Sequence, residues 1–161
     1  MTPEAHLATS ADLVAAARVL EQASSAVRLE RGGSVFVDRE FVAPPYEERL
    51  GLFLDDPATC LAVGTLEDVI AGIAIAVVET LRDSSRLARL EILWVEPEAR
   101  EIGLGEALVD VVTSWASGLG ASHLDAYALP GGRETKNFLE AAGFSARLIV
   151  MHRRLGDHDA L

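Results

Sequence analysis

Along the chain the apolar positions switch between a helical period and unbroken runs, and the switches locate most elements. Ala5-His6-Leu7-Ala8 reads as a short first strand, and Thr9-Ser10-Ala11-Asp12 then fits a helix-capping pattern. Leu13, Ala16, Ala17 and Leu20 share one helical face, so a helix is expected to about Val27, where Arg31-Gly32-Gly33-Ser34 breaks it. Val35 to Val42 is ambiguous and reads as a candidate part of a substrate-side loop. Pro44-Pro45 marks the start of a second helix carrying Leu50, Phe53 and Leu54, ended by Asp55-Asp56-Pro57.

Thr59 to Leu66 and Val69 to Thr80 are runs apolar on both faces, joined at Glu67-Asp68 as a hairpin. Strands of this kind belong to a sheet covered on both sides. Leu87 to Val95 is the next strand, closed by Pro97, which has no N–H for a sheet ladder. The best-defined helix follows, with Leu104, Ala107, Leu108, Val111, Val112, Trp115 and Leu119 at helical spacing and Gly118 and Gly120 at its end. His123 to Ala128 reads as a strand, Pro130-Gly131-Gly132 as a loop, Arg133 to Ala142 as a helix stopped by Gly143, and Phe144 to Arg154 as a last strand. The expected fold class is α/β with helices on both faces of the sheet, in one domain over residues 1–161.

Composition removes several classes of function. Half the residues are hydrophobic and 24% charged, an ordinary globular mixture, and no apolar run reaches the roughly 20 residues of a membrane span. Met1-Thr2-Pro3-Glu4 lacks the basic and apolar regions of a secretory signal, so a cytoplasmic location is expected. A net charge of −11 argues against nucleic-acid binding and would draw a cationic partner, although a solvated acidic surface explains it equally well. The single cysteine, Cys60, allows no internal disulfide and reads as a small core residue, not a nucleophile. His6, His123, His152 and His158 show no ligand spacing, so no metal is expected.

The chemistry concentrates between the strand ending at Val95 and the helix that begins near Gly105. Gly103 and Gly105 let a ligand approach the backbone, and the free N–H groups and positive dipole end of the helix suit a phosphate or pyrophosphate. A P-loop is excluded because no Gly-Lys-Ser/Thr is present, and the dinucleotide Gly-x-Gly-x-x-Gly pattern fails at Leu108. An ordinary glycine-rich strand-to-helix turn is the other reading. Val95-Glu96-Pro97-x-x-Arg100-x-x-Gly103-x-Gly105 resembles the acetyl-CoA signature of the GNAT N-acetyltransferase superfamily. The order of elements and the closing Asn137-Phe138-Leu139-Glu140-Ala141-Ala142-Gly143-Phe144 also resemble that family, whose fold is a central mixed, twisted sheet with helices on both faces. Few residues follow Gly143-Phe144, so one of the family's two terminal strands is expected to be shortened or missing.

The resemblance implies acetyl-CoA as co-substrate and no metal. Backbone groups of Trp94 and Val95 would pair with the pantetheine arm, the N–H groups of Ile102, Gly103, Leu104, Gly105 and Glu106 would take the pyrophosphate, and Arg100 would add charge at the loop entrance. Acetyl transfer to an amine needs a proton acceptor, and Glu91, the only charged residue in the apolar run Leu90 to Val95, is the candidate base. Spacing by four residues places it on the same strand face as Val95. A glutamate paired with Arg89 or Arg86 at a sheet edge is the competing reading. The family's usual tyrosine acid falls at Leu139, which leaves Tyr127 as a substitute acid or simply a packed tyrosine. The expected activity is acetyl-CoA-dependent N-acetylation of a primary amine of a small molecule or peptide, by direct attack. A GNAT-fold acyl-CoA sensor with little turnover is the alternative. Substrate walls, roughly Ala23 to Pro57, carry no motif, and a homodimer is expected from the family resemblance alone.

Overall fold

The structure is a computed structural model that describes residues 2–156. Five strands form one sheet in the order β1-β2-β3-β4-β5: β1 (Pro3–Leu7), β2 (Thr59–Leu66), β3 (Val69–Thr80), β4 (Arg86–Val95) and β5 (Ala121–Ala126). The first four pair antiparallel and β4 pairs with β5 in parallel, so the sheet is mixed. Helices α1 (Leu13–Arg28), α2 (Gly33–Glu40), α3 (Tyr46–Phe53), α4 (Leu104–Gly118) and α5 (Arg133–Ala141) complete the chain. The β2–β3 hairpin turns on Glu67 and Asp68, both at positive φ, the geometry that matches the twist of the flanking strands.

Each sheet face buries a different core. Ile73, Ile75, Ile92 and Trp94 pack with Ala16, Val19, Leu20 and Ala23 of α1 and with Leu50 of α3. On the other face Ala62, Ala74, Ala76 and Leu90 meet Leu108, Val109 and Val112 of α4. Small residues in β2 and β3 let α4 come close. At Gly64 an added Cβ would lie 2.7 Å from a Leu104 methyl, and at Gly72 3.0 Å from a Leu108 methyl.

Three expectations change. The ambiguous stretch is the helix α2, which begins at Gly33 directly after an elbow from α1, with Gly32 at φ 79°. A Cβ on Gly33 would overlap the Val27 carbonyl oxygen at 1.8 Å, so only glycine fits the elbow. Gly33→Ala is therefore expected to cost about 2–3 kcal/mol and lower Tm by roughly 5–10 °C, read by thermal denaturation; an unchanged Tm would contradict this packing. The expected last strand, Phe144 to Arg154, joins no sheet ladder among the described residues. The third change is the face of Glu91. The β3–β4 register jumps from Ile75↔Ile92 to Ala76↔Leu90, which leaves Glu91 as an extra, bulged residue. The bulge reverses the alternation, so Glu91 opens with Ile92 toward α2 and α3, whereas Val95 packs on the α4 side. Counting by twos put Glu91 and Val95 on one face because it assumed an unbroken strand.

Candidate active site

β4 and β5 pair from Arg86↔Ala121 to Leu90↔Ala126, and there β5 ends while β4 runs on to Val95. The fork leaves the β5-facing backbone of the last β4 residues without a strand partner. Which groups face it follows from the ladder. The Glu96 N–H donates to Ala71 O at 2.8 Å, so alternate residues Trp94 and Ile92 also turn their backbone toward β3. Leu93 and Val95 turn theirs into the fork. The Trp94 backbone is thus occupied on the β3 side, and Leu93, which the sequence did not single out, takes the position expected for it.

The loop after β4 makes one 3₁₀ turn (Pro97–Ala99) and then places Glu101 at φ 65° and Gly103 at φ 93°, the second as the N-cap of α4. The first backbone bond of α4 runs from Ala107 N–H to Gly103 O at 3.0 Å. The N–H groups of Leu104, Gly105 and Glu106 precede it and have no carbonyl partner inside the helix, a cradle for an anion beside the fork. Gly105 has a packing reason as well: a Cβ there would meet the Phe138 ring of α5 at 3.1 Å. Arg100 donates from Nε to Val95 O at 2.9 Å, and its guanidinium lies 5.5 Å from the Trp94 ring centre. It fastens the loop to the end of β4. Ile102 packs beneath with Ala71, Ala99 and Leu104, and Glu106 is exposed in the first turn of α4.

On the opposite face, a cavity of about 250 Å³ opens between β3, β4, α2 and α3. Phe41, Val42, Phe53, Ile75 and Val77 form its apolar walls, and Glu40 and Glu91 are its carboxylates. Burial pushes the Glu91 carboxyl above the usual glutamate range; Arg89 pulls it back, and the neighbouring Glu40 carboxylate pushes it up again. Arg89 Nη1 stands 3.6 Å from Glu91 Oε2, and its Nε, 3.4 Å from Glu79 Oε1, is buried without a hydrogen-bond acceptor. Arg86 is spent elsewhere, on Leu119 O at 2.8 Å. Glu91 therefore has a charge partner, but on an interior strand and beside a cavity.

Tyr127 follows the last residue of β5, one residue past the final β4–β5 pair, Leu90↔Ala126. Its ring packs edge-on against Phe36 of α2, with centroids 5.8 Å apart. Leu139 is buried and offers no proton; α5 ends there with Phe144 N–H on Leu139 O and Gly143 N–H on Glu140 O. Sequence reasoning missed Glu40, Phe36 and Phe41, because they come from the stretch that was not assigned to a helix. A second opening, lined by His6, Asp110 and Trp115, lies at the other end of the sheet and shares no residue with this site.

Cys60 is buried, and burial pushes its thiol up to about 12. At pH 8 roughly one thiol in 10⁴ would be ionised, so iodoacetamide is expected to spare the folded protein and label it once unfolded. Rapid labelling of the native chain would contradict the buried assignment. No helix among the described residues is long and apolar enough to cross a membrane, and no group of three potential metal ligands is found there. His158 lies outside the described residues.

The site thus combines a forked mixed sheet, a helix N-terminus beside the fork and a carboxylate-lined cavity on the opposite face. The chain belongs to the acetyltransferase (GNAT) family, whose model matches residues 26–144. Many solved structures share the fold. Glucosamine-6-phosphate N-acetyltransferase from Arabidopsis thaliana aligns at TM-score 0.71 and 17% identity, covering 97% of this chain and 100% of its own. Ribosomal-protein-alanine N-acetyltransferase from Brucella melitensis aligns at TM-score 0.72 and 17% identity, covering 96% and 100%. An aminoglycoside acetyltransferase from an uncultured soil metagenomic sample, solved with sisomicin, aligns at TM-score 0.72 and 17% identity, covering 96% and 95%. At such identities the likeness concerns the fold. No curated protein sequence matches the chain.

Proposed function

We propose that the protein is an acetyl-CoA-dependent N-acetyltransferase whose acceptor is a primary amine, cationic in solution and carried on an apolar body. The observation that carries this reading is the juxtaposition of a bulged, partly buried Glu91 with Glu40 in an apolar-walled cavity at the point of the fork. An ammonium group entering there meets the Glu40 and Glu91 carboxylates, which also face Arg39 and Arg89, with Arg49 on the cavity wall, and the aromatic and aliphatic walls suit the rest of the acceptor.

The fork and the α4 N-terminus fit acetyl-CoA. Leu93 and Val95 would offer backbone to the pantetheine arm, and Gly103, Leu104, Gly105 and Glu106 would offer N–H groups to the pyrophosphate. Bound there, acetyl-CoA supplies an activated acyl carbon. Glu91 accepts the proton that the amine must lose to become a nucleophile, and burial raises its pKa toward that of a more effective base. Tyr127, just past the last β4–β5 pair, is the hydroxyl available to return a proton to the leaving sulfur. Arg100 keeps the loop docked on Val95.

Leu139 favours a second reading, an acyl-CoA sensor with little turnover, because a buried leucine stands where the family's usual tyrosine acid would be. Thermal denaturation with acetyl-CoA tests what both readings share, since a ligand that binds only the folded chain must raise Tm. A rise of several degrees at saturation is expected; no shift would refute both.

A further inference from the structure

Arg89 stands where an interior strand usually holds an apolar residue. It lies on β4 between Val77 of β3 and Asp125 of β5, at the next-to-last pair before the fork opens. Leu90 beside it packs toward α4, so Arg89 points to the same side of the sheet as Glu91. A guanidinium in such a place is costly unless partners offset its lost hydration.

Those partners are unevenly met. Nη1 is 3.6 Å from Glu91 Oε2 and Nε is 3.4 Å from Glu79 Oε1, both longer than a charge-assisted hydrogen bond, and Nε is buried with no acceptor. Tyr127 faces the same group. Burial works against the charge on Arg89, and Tyr127, Glu91 and Glu79 together hold it above the usual arginine range. The other carboxylates nearby are engaged: Asp125 by Arg147, with His123 also facing it, and Glu40 by Arg39. Arg49 of α3 lines the cavity as well. A planar fork of donors with a spare N–H therefore lies within reach of both groups that would move protons.

The charge changes of the reaction suit that placement. The amine nitrogen bonds to the acyl carbon, and the carbon–sulfur bond breaks with its electron pair on sulfur. Glu91 takes the proton that nitrogen loses and Tyr127 gives the one that sulfur gains, so a negative charge leaves Glu91 and appears on Tyr127. Return of that proton from Glu91 to Tyr127 through solvent resets both. At each stage one anion stands beside the guanidinium.

We propose that Arg89 is a positioning residue for both proton transfers, its guanidinium holding Glu91 as a base before attack and offsetting the Tyr127 phenolate after it. This role rests on the acetyltransferase reading, with Glu91 as base and Tyr127 as acid.

Arg89→Met and Arg89→Lys, each alone and combined with Tyr127→Phe, test it through kcat and through NMR titration of the Glu91 carboxyl, assigned with Glu91→Gln. Arg89→Met is expected to lower kcat about a hundredfold and to move the Glu91 midpoint upward by about one pH unit, because an opposite charge at this range favours the ionised form. Arg89→Lys keeps the charge without the fork, so the Glu91 midpoint should stay near its wild-type value while kcat still falls about tenfold. That loss should vanish in the Tyr127→Phe background, where no phenolate forms. Equal losses in both backgrounds would overturn the proposal, as would an Arg89→Met protein with wild-type kcat or an unmoved Glu91 midpoint. If Arg89→Met does not fold, the Arg89→Lys comparison decides. A lower Tm with kcat and titration unchanged would assign Arg89 to Glu79 and the sheet alone. A chain that acetylates no amine would remove the acetyltransferase reading and this role with it, whereas acetylation indifferent to Arg89 removes only the role.

Discussion

Glu91→Gln is expected to lower kcat for amine acetylation by about 10²–10⁴-fold, the usual worth of a positioned general base, with little change in the KM for acetyl-CoA. The group works ionised, so wild-type activity should fall as pH drops through its pKa. That pKa lies above the ordinary glutamate range because burial and Glu40 both disfavour the charge. The acid limb of the kcat/KM profile should therefore be displaced upward in the wild type and be missing from the variant. Stability should move the other way. A raised folded-state pKa means that the folded chain holds the Glu91 proton more tightly than the unfolded chain, so stability falls as pH rises between the two values. Above the folded-state pKa the full cost of the ionised carboxylate is present, and glutamine removes it. Glu91→Gln should thus match or exceed the wild-type Tm while losing activity. A large loss of Tm would instead assign Glu91 a structural role with Arg89.

Gly103→Val is expected to weaken acetyl-CoA binding by roughly ten- to a hundredfold, from the 1–3 kcal/mol cost of a side chain at a left-handed backbone position. Gly103 sits at φ 93° as the N-cap of α4, and a β-branched residue there must relax toward negative φ. The relaxation re-aims the N–H groups of Leu104 and Gly105. A Cβ at Gly103 would reach Pro3 Cγ at 3.4 Å and the Glu106 carboxylate at 3.7 Å, so the core is hardly disturbed and the damage should be confined to the loop. Calorimetric titration with acetyl-CoA, paired with a melting curve, separates the two effects. Undiminished affinity would remove the pyrophosphate from this loop. Gly105 is the poorer test, because its substitution also presses on Phe138.

What the sequence revealed and what it hid divide along physical lines. The strands Thr59–Leu66 and Val69–Thr80 have the bounds read from their apolar runs, because strands buried on both faces announce themselves by hydrophobicity alone. The glycines and proline after β4 were legible because they are demanded by backbone conformation. Features created by pairing were not. The bulge at Glu91 is a mismatch between two strands and leaves no mark on either, yet it decides which face the carboxylate serves. Helix α2 was hidden because its apolar residues, Val35, Phe36 and Val37, are consecutive and form no helical stripe, and with it went Glu40, the second carboxylate of the cavity. The segment after Phe144 has the composition of a strand but no strand partner among the described residues. Composition records a tendency to pair, and the partner is a matter of tertiary or quaternary structure.

The central claim is that an acyl group is moved to an amine held at Glu91. Thiol release from acetyl-CoA, with mass spectrometry of the product, across primary amines that vary independently in charge and apolar size tests it most directly. Release that depends on the amine, yields its N-acetyl derivative, favours cationic amines with apolar bodies and collapses in Glu91→Gln is the predicted result. Tight acetyl-CoA binding with no acetylated product from any amine in the panel would contradict it and leave the sensor reading in its place.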